Sequence, residues 1–137
     1  MKNIENNNGK PLISLEIPIK LISEARIRDH WSKLARRRDC MQNAIVLNLI
    51  AKQKPSLPCH VVLTRLGRKL DYDNLVYAFK YVRDQVADWL IPGLKKGQAD
   101  SSPLILWDYK QEPRGQKDDG FRVEIYEVNQ QAALAMP

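Results

Sequence analysis

The sequence predicts a small α+β domain, with helices packed on a mixed or antiparallel sheet in the order β-α-β-α-β-β. Three observations carry this. Four short apolar stretches, at 12–19, 59–66, 104–109 and 121–128, alternate or are β-branched. Two longer stretches repeat apolar residues at helical spacing, and each ends at a proline. The chain has 137 residues, 44% of them hydrophobic, which suits one core and one domain.

Residues 1–10 are Asn-rich and read as a loose tail, and the domain proper is expected over 11–128, with a short tail at 129–137. The first strand, 12–19, has Pro18 near its end. Ser23 opens the first helix, without the Glu of a capping box, and Pro55 and Pro58 close it after about Lys52. Projected at 100° per residue, Ile27, Trp31, Leu34, Met41, Ile45 and Leu49 form one stripe, expected to be core. Arg26, His30, Lys33 and Arg37 form a second stripe about a quarter-turn away, with Arg36 at its flank. Arg38 falls inside the apolar stripe, so it needs an inward acid or a helix bend.

The second strand, 59–66, leads through a basic turn (Arg65, Gly67, Arg68, Lys69) into Asp71-Tyr72-Asp73-Asn74. The second helix is expected over 74–90. Leu75, Ala78, Phe79, Val82, Val86, Trp89 and Leu90 share one face, and Asp73, Tyr77, Lys80, Asp84 and Asp88 the other. Pro92 and Gly93 stop it. A loop with Lys95, Lys96 and Asp100 precedes the strand 104–109, on which Trp107 and Tyr109 share a face. A polar hairpin loop is expected over 111–120, before a last strand with Phe121, Val123 and Ile125 on one side.

The net charge is +6, and its location is informative. Residues 20–54 hold nine Lys or Arg against Glu24, Asp29 and Asp39, which accounts for the whole excess; the remainder carries thirteen of each sign. A positive surplus confined to one segment suits a surface that meets a polyanion. No run approaches the ~20 apolar residues of a membrane span, and the first residues lack a signal-peptide pattern, so the expected setting is cytoplasmic. Cys40 and Cys59 are read as two buried, reduced thiols, and with two His they are too few for a zinc site.

Asp71 and Asp73 crowd two carboxylates, which repel unless a cation intervenes. A divalent metal is the usual cation, and carboxylate-bound Mg²⁺ is a common way to act on phosphates. The plainer alternative is that Asp73 merely caps the second helix. A cap needs one side chain, however, and two acids stand here; if residues 70–73 are extended, both point to one side. Lys80 lies two turns beyond Asp73 on the polar face. It can contact a phosphate or form an ordinary pair with Asp84.

Lys69-Leu70-Asp71-Tyr72-Asp73-Asn74-Leu75, the helix with Ala78, Lys80 and Asp84, and the Asp100 loop resemble the RusA-like crossover-junction endodeoxyribonucleases. These are small, often prophage-encoded Holliday junction resolvases. Leu15-Glu16-Ile17-Pro18 and Ser23-Glu24-Ala25 leading to His30-Trp31 are also similar to prophage members, so the likeness spans roughly residues 12–128. It implies a homodimeric, Mg²⁺-dependent nuclease, with Mn²⁺ as a substitute ion, that makes paired nicks in branched DNA during recombination and repair. Asp71, Asp73 and Asp100 would be its metal ligands and catalytic acids. Lys80 would touch the scissile phosphate. By charge rather than by the resemblance, Arg26, His30, Lys33, Arg36, Arg37, Arg68, Lys69, Arg114 and Lys117 are the candidates to hold DNA backbones, the alternative for the first-helix stripe being a solvated face. The sequence departs from the family at two points. An Asp-Asp pair is usual where this chain reads Asp100-Ser101, and a Lys is found where it has Tyr77. Alternatives of other classes are a DNA-binding protein without nuclease activity, and a phosphatase or sugar-nucleotide transferase using its own D-x-D.

Overall fold

A computed structural model of the chain describes residues 9–21, 31–115 and 118–128. The elements are β1 (Ile13–Ile17), α1 (Trp31–Leu49), β2 (Cys59–Leu66), α2 (Tyr72–Ala78), α3 (Lys80–Leu90), a 3₁₀ turn (Ala99–Ser101), β3 (Ile105–Glu112) and β4 (Gly120–Glu127). The molecule is α+β, in the expected β-α-β-α-β-β order.

The sheet order is β1-β4-β2-β3. β4 runs antiparallel to β1 and to β2, whereas β2 and β3 are parallel. Three strands, β1, β2 and β3, therefore point the same way, and their C-terminal ends gather at one edge. Alternation decides which face is buried. Ile13, Leu15, Ile17, Val61, Leu63, Ile105, Phe121, Val123 and Ile125 form the core with Met41, Ile45 and Leu49 of α1 and Leu75, Phe79, Val82, Val86 and Leu90 of α2 and α3. Among the described residues, no helix is long and apolar enough to cross a membrane.

Several expectations need correction. β3 extends to Glu112, and β4 pairs with β1 and β2 rather than with β3. The segment between them is therefore a crossing connection, not a hairpin loop; pairing partners depend on contacts remote in sequence. The second helix starts at Tyr72, not Asn74, and is interrupted at Phe79. There φ and ψ are −91° and 3°, and the Phe79 amide bonds the Val76 carbonyl, a tightened turn. Phe79 is fully buried against Tyr109 and Phe121, with ring centroids 6.0 and 6.2 Å away. The break thus sits where an aromatic ring is driven into the core.

The first ten residues of α1 bury no side chain; its buried positions are Met41, Gln42, Ile45 and Leu49. Trp31, expected in the core, is 74% exposed. The apolar stripe continues past the surface it can cover. Among the described residues Arg38 pairs with no inward acid. It lies over the Tyr81 ring, 5.8 Å from its centroid, and pairs with adjacent Asp39 at 3.4 Å.

Cys59 is buried as expected, but Cys40 is exposed on α1. Burial pushes the Cys59 thiol up to about 11. At about pH 8 a thiol reagent is expected to label Cys40 rapidly in the native protein, and Cys59 only on unfolding. Two fast equivalents, counted by mass spectrometry, would contradict the burial of Cys59.

Candidate active site

The turn that carries the acidic motif is held from three directions. Gly67 follows β2 at φ +144°, a conformation that L side chains rarely adopt, and a Cβ there would sit 2.6 Å from Asp119 Oδ1. Arg65, read from the sequence as part of the basic turn, is buried at the end of β2. It donates Nε–H to the Leu21 carbonyl at 3.1 Å and Nη1–H to the Arg68 carbonyl. Gln111 of β3 accepts from the Leu70 amide at 2.7 Å and donates to its carbonyl at 2.8 Å. The start of α2 is thereby fixed against the ends of β2 and β3.

Asp71 occupies the N-cap position of α2, with extended φ and ψ of −61° and 154°, yet its side chain makes no capping hydrogen bond. Asp73 lies within the first turn, so it is not the cap. The strand-period argument for aligning the two does not apply, because only Asp71 is extended. Both carboxylates are exposed. Among the described residues neither has an ion-pair or side-chain hydrogen-bond partner.

The third acid is differently placed. Asp100 sits in the 3₁₀ turn, and its Oδ2 lies 3.2 Å from Arg83 Nε of α3. The Asp100 carbonyl accepts from Arg83 Nη2 at 3.0 Å and from Trp107 Nε1 at 3.2 Å. Arg83 Nη1 donates to the Tyr109 hydroxyl at 2.8 Å. Val76, Tyr77, Lys80, Arg83, Asp100 and Tyr109 line a recess of about 250 Å³. Tyr72, which separates the motif's two acids, meets Tyr109 edge-on at 6.3 Å. Tyr72 of the motif thus reaches the recess that Lys80 and Asp100 line, while Asp71 and Asp73 are not among its lining residues. Ser101 is exposed and donates to the Gln98 carbonyl at 3.0 Å, so Asp100 faces the recess and Ser101 does not. Lys80 forms no ion pair with Asp84 among the described residues; it lies over Tyr81 at 5.9 Å. Burial, then the charge of Asp100, raises the Asp84 carboxyl above its ordinary range.

Arg83 was not singled out from the sequence. Its signal was an Arg in the row of Phe79, Ala87 and Leu90, on the buried side of the helix, where a charge needs a partner.

Of the expected DNA contacts, Lys33 and Arg36 are exposed on the unburied half of α1, and Arg37 is half-buried there. Tyr81, beneath Arg38, is also beneath Lys80, so Arg38 of α1 and Lys80 of the recess share one aromatic ring. Arg68 and Lys69 are exposed just before Asp71. Arg114 is tied to Glu112 at 2.7 Å and to Glu16 at 3.2 Å. Arg114, followed by Arg122, holds both carboxyls below the usual range. Its charge is thus matched within the protein, which removes the reason for assigning it a phosphate. Arg26, His30 and Lys117 lie outside the described residues.

Mg²⁺ is typically held by one or two carboxylates together with waters and substrate phosphates. Exposed Asp71 and Asp73 suit that donor set. Asp100 does not suit it while Arg83 holds its carboxylate, and among the described residues no three of His, Cys, Asp and Glu group to hold an ion. The chain matches no family model, no curated protein and no solved structure.

Proposed function

We propose that this chain is a metal-dependent endonuclease for four-way DNA junctions, acting as a homodimer. The observation that carries the reading is the pair of exposed carboxylates at Asp71 and Asp73, which have no ion-pair or side-chain hydrogen-bond partner among the described residues and stand at the start of α2, the helix that precedes Lys80. Unpaired acids next to a cationic surface are costly for DNA binding unless they hold a cation. A bound Mg²⁺ would supply an activated water and neutralise charge on the phosphate. Asp71 and Asp73 would hold it, and Lys80, in the recess, would contact the scissile phosphate. Lys33, Arg36, Arg37, Arg68 and Lys69 would grip the backbone without reading sequence. Dimerisation follows from the family resemblance and from the two-fold symmetry of a four-way junction, which a C₂ dimer matches. The direct test is incubation of a synthetic junction with the protein in Mg²⁺ or Mn²⁺; absence of paired nicks in any branched DNA would sink the reading.

A second reading has its own support. Asp100 is engaged by Arg83, which leaves two acids rather than three. A protein with that site incomplete would bind branched DNA without cutting it. Binding unaccompanied by nicks, with either ion, would select it.

Both readings share the basic surface. Substituting Lys33 and Arg36 by Ala is expected to weaken DNA binding broadly and to lower the salt slope of log K by about 2, since each phosphate contact contributes ~0.9. Fluorescence anisotropy across a salt series measures this. An unchanged slope would place the DNA elsewhere.

A further inference from the structure

We infer that the recess between α2, α3 and β3 receives one unstacked DNA base that carries an exocyclic amino group. Tyr77 and Tyr109 form its walls, and Asp100 meets the edge of the base. The inference rests on the DNA-binding part of the reading above; it needs neither cutting nor a metal.

Tyr72 and Tyr77 are 65% and 45% exposed, although α2 buries Leu75 and Ala78 beside them. Aromatic surface gathered at a recess and rimmed by charge is the pattern of a contact site. Tyr109 is the fixed wall. Phe79 lies behind it at 6.0 Å, Tyr72 meets it edge-on at 6.3 Å, and its hydroxyl accepts from Arg83 Nη1 at 2.8 Å. A ring held on three sides loses little further freedom when a base stacks on it. Aromatic rings are the usual platform for unpaired bases. The recess, at about 250 Å³, is smaller than the ~300–1,000 Å³ of most ligand sites, which suits one planar base rather than a larger molecule.

Hydrogen bonding selects the base. Asp100 Oδ2 lies 3.2 Å from Arg83 Nε, yet that buried Nε makes no hydrogen bond. The guanidinium donates instead to the Asp100 carbonyl and the Tyr109 hydroxyl, and stacks on Trp107 at 4.7 Å. The Asp100 carboxylate is therefore matched in charge but, among the described residues, accepts no hydrogen bond. An ionised carboxylate is satisfied only by donors, and this one stays 25% exposed to meet them. The amino groups of adenine, cytosine and guanine are such donors, whereas thymine presents carbonyl oxygens in their place. The lining carries Lys80 and Arg83 against Asp100, a surplus of one positive charge. That suits the phosphate of the same nucleotide, with exposed Lys80 as its contact. Branched DNA offers such a base with least unpairing cost where pairing is already broken.

The test is fluorescence anisotropy of the full chain in EDTA. The probe is an immobile four-way junction with one unpaired nucleotide at the crossing: adenine, purine without the amino group, or an abasic sugar. Wild type is expected to bind the adenine junction about tenfold more tightly than the abasic one, the order of effect of one stacked base. It is expected to bind adenine severalfold more tightly than purine, which stacks alike but lacks the donor. Tyr77→Ala should remove most of the preference for adenine over the abasic sugar, and Tyr77→Phe, which keeps the ring, should restore it. Asp100→Ala should keep that preference and lose the one for adenine over purine. Equal binding of adenine and abasic junctions by wild type would overturn the base site and leave the DNA reading standing, as would a preference that survives Tyr77→Ala. Equal binding of adenine and purine by wild type would overturn the role of Asp100, and decides that role should Asp100→Ala fail to fold. Binding to none of the three would overturn the DNA reading and the base site together. A full adenine preference without nicks once Mg²⁺ is added would support the base site and reject the nuclease.

Discussion

Asp73→Asn, and equally Asp71→Asn, is expected to lower cleavage of a four-way junction in Mg²⁺ by about 10²–10³-fold. Losing a charged ligand forfeits several kcal/mol of charge stabilisation, and each ~1.4 kcal/mol is tenfold in rate. Folding is expected to be little affected. Both side chains are exposed and neither caps the helix, so the stability change should stay within about 0.5 kcal/mol. On the nuclease reading, junction affinity should hold or rise slightly, because each change removes a negative charge that would face DNA. Gel assays of nicking, with anisotropy on the same variants, separate the two effects. Full-rate cutting by either variant would exclude that acid from the site. Loss of binding in parallel with cutting would show damage to the DNA surface instead.

The largest effect on stability is expected at Phe79. Phe79→Ala should cost about 3–5 kcal/mol, as truncating a buried aromatic removes transfer energy and leaves a cavity. The ring is fully buried and touches Tyr109 and Phe121, so neighbours on two strands lose packing together. Against a total of roughly 5–15 kcal/mol, that is a large share, and the melting temperature should fall by about 10–20 °C. Thermal unfolding by circular dichroism measures it. A fall of only a few degrees would mean that α2 and α3 close over the gap. The same variant should also disturb the recess, because Tyr109 rests on Phe79 and accepts from Arg83.

Legibility varied from element to element for physical reasons. β4 was readable because a two-residue alternation needs no partner to be recognised, and Phe121, Val123 and Ile125 are buried as their spacing implied; β2 was readable from its β-branched, apolar run. The helical period of α1 was readable, but its extent of burial was not. Periodicity marks which face is apolar; it does not report where the covering surface ends, and Trp31 lies beyond that end. Cys40 was misjudged for the same reason. Within the candidate site, Asp71, Asp73 and Lys80 were legible as neighbours along one segment. Asp100 was legible as an acid in a returning loop. Its partner was not, because Arg83 lies 17 residues earlier and meets it only after α3 turns back toward β3.

The sequence by itself determined the α+β class, the order of strands and helices, the adjacency of the two acids and the confinement of the positive charge to one segment. All of these are set by local spacing and composition. Tertiary structure alone decided that β4 enters between β1 and β2, that the second helix breaks at Phe79, and that Arg65 is buried. It also decided that Asp71 and Asp73 remain uncommitted while Asp100 does not. These depend on which distant groups compete for the same space and the same charge, and a linear pattern carries no record of that competition.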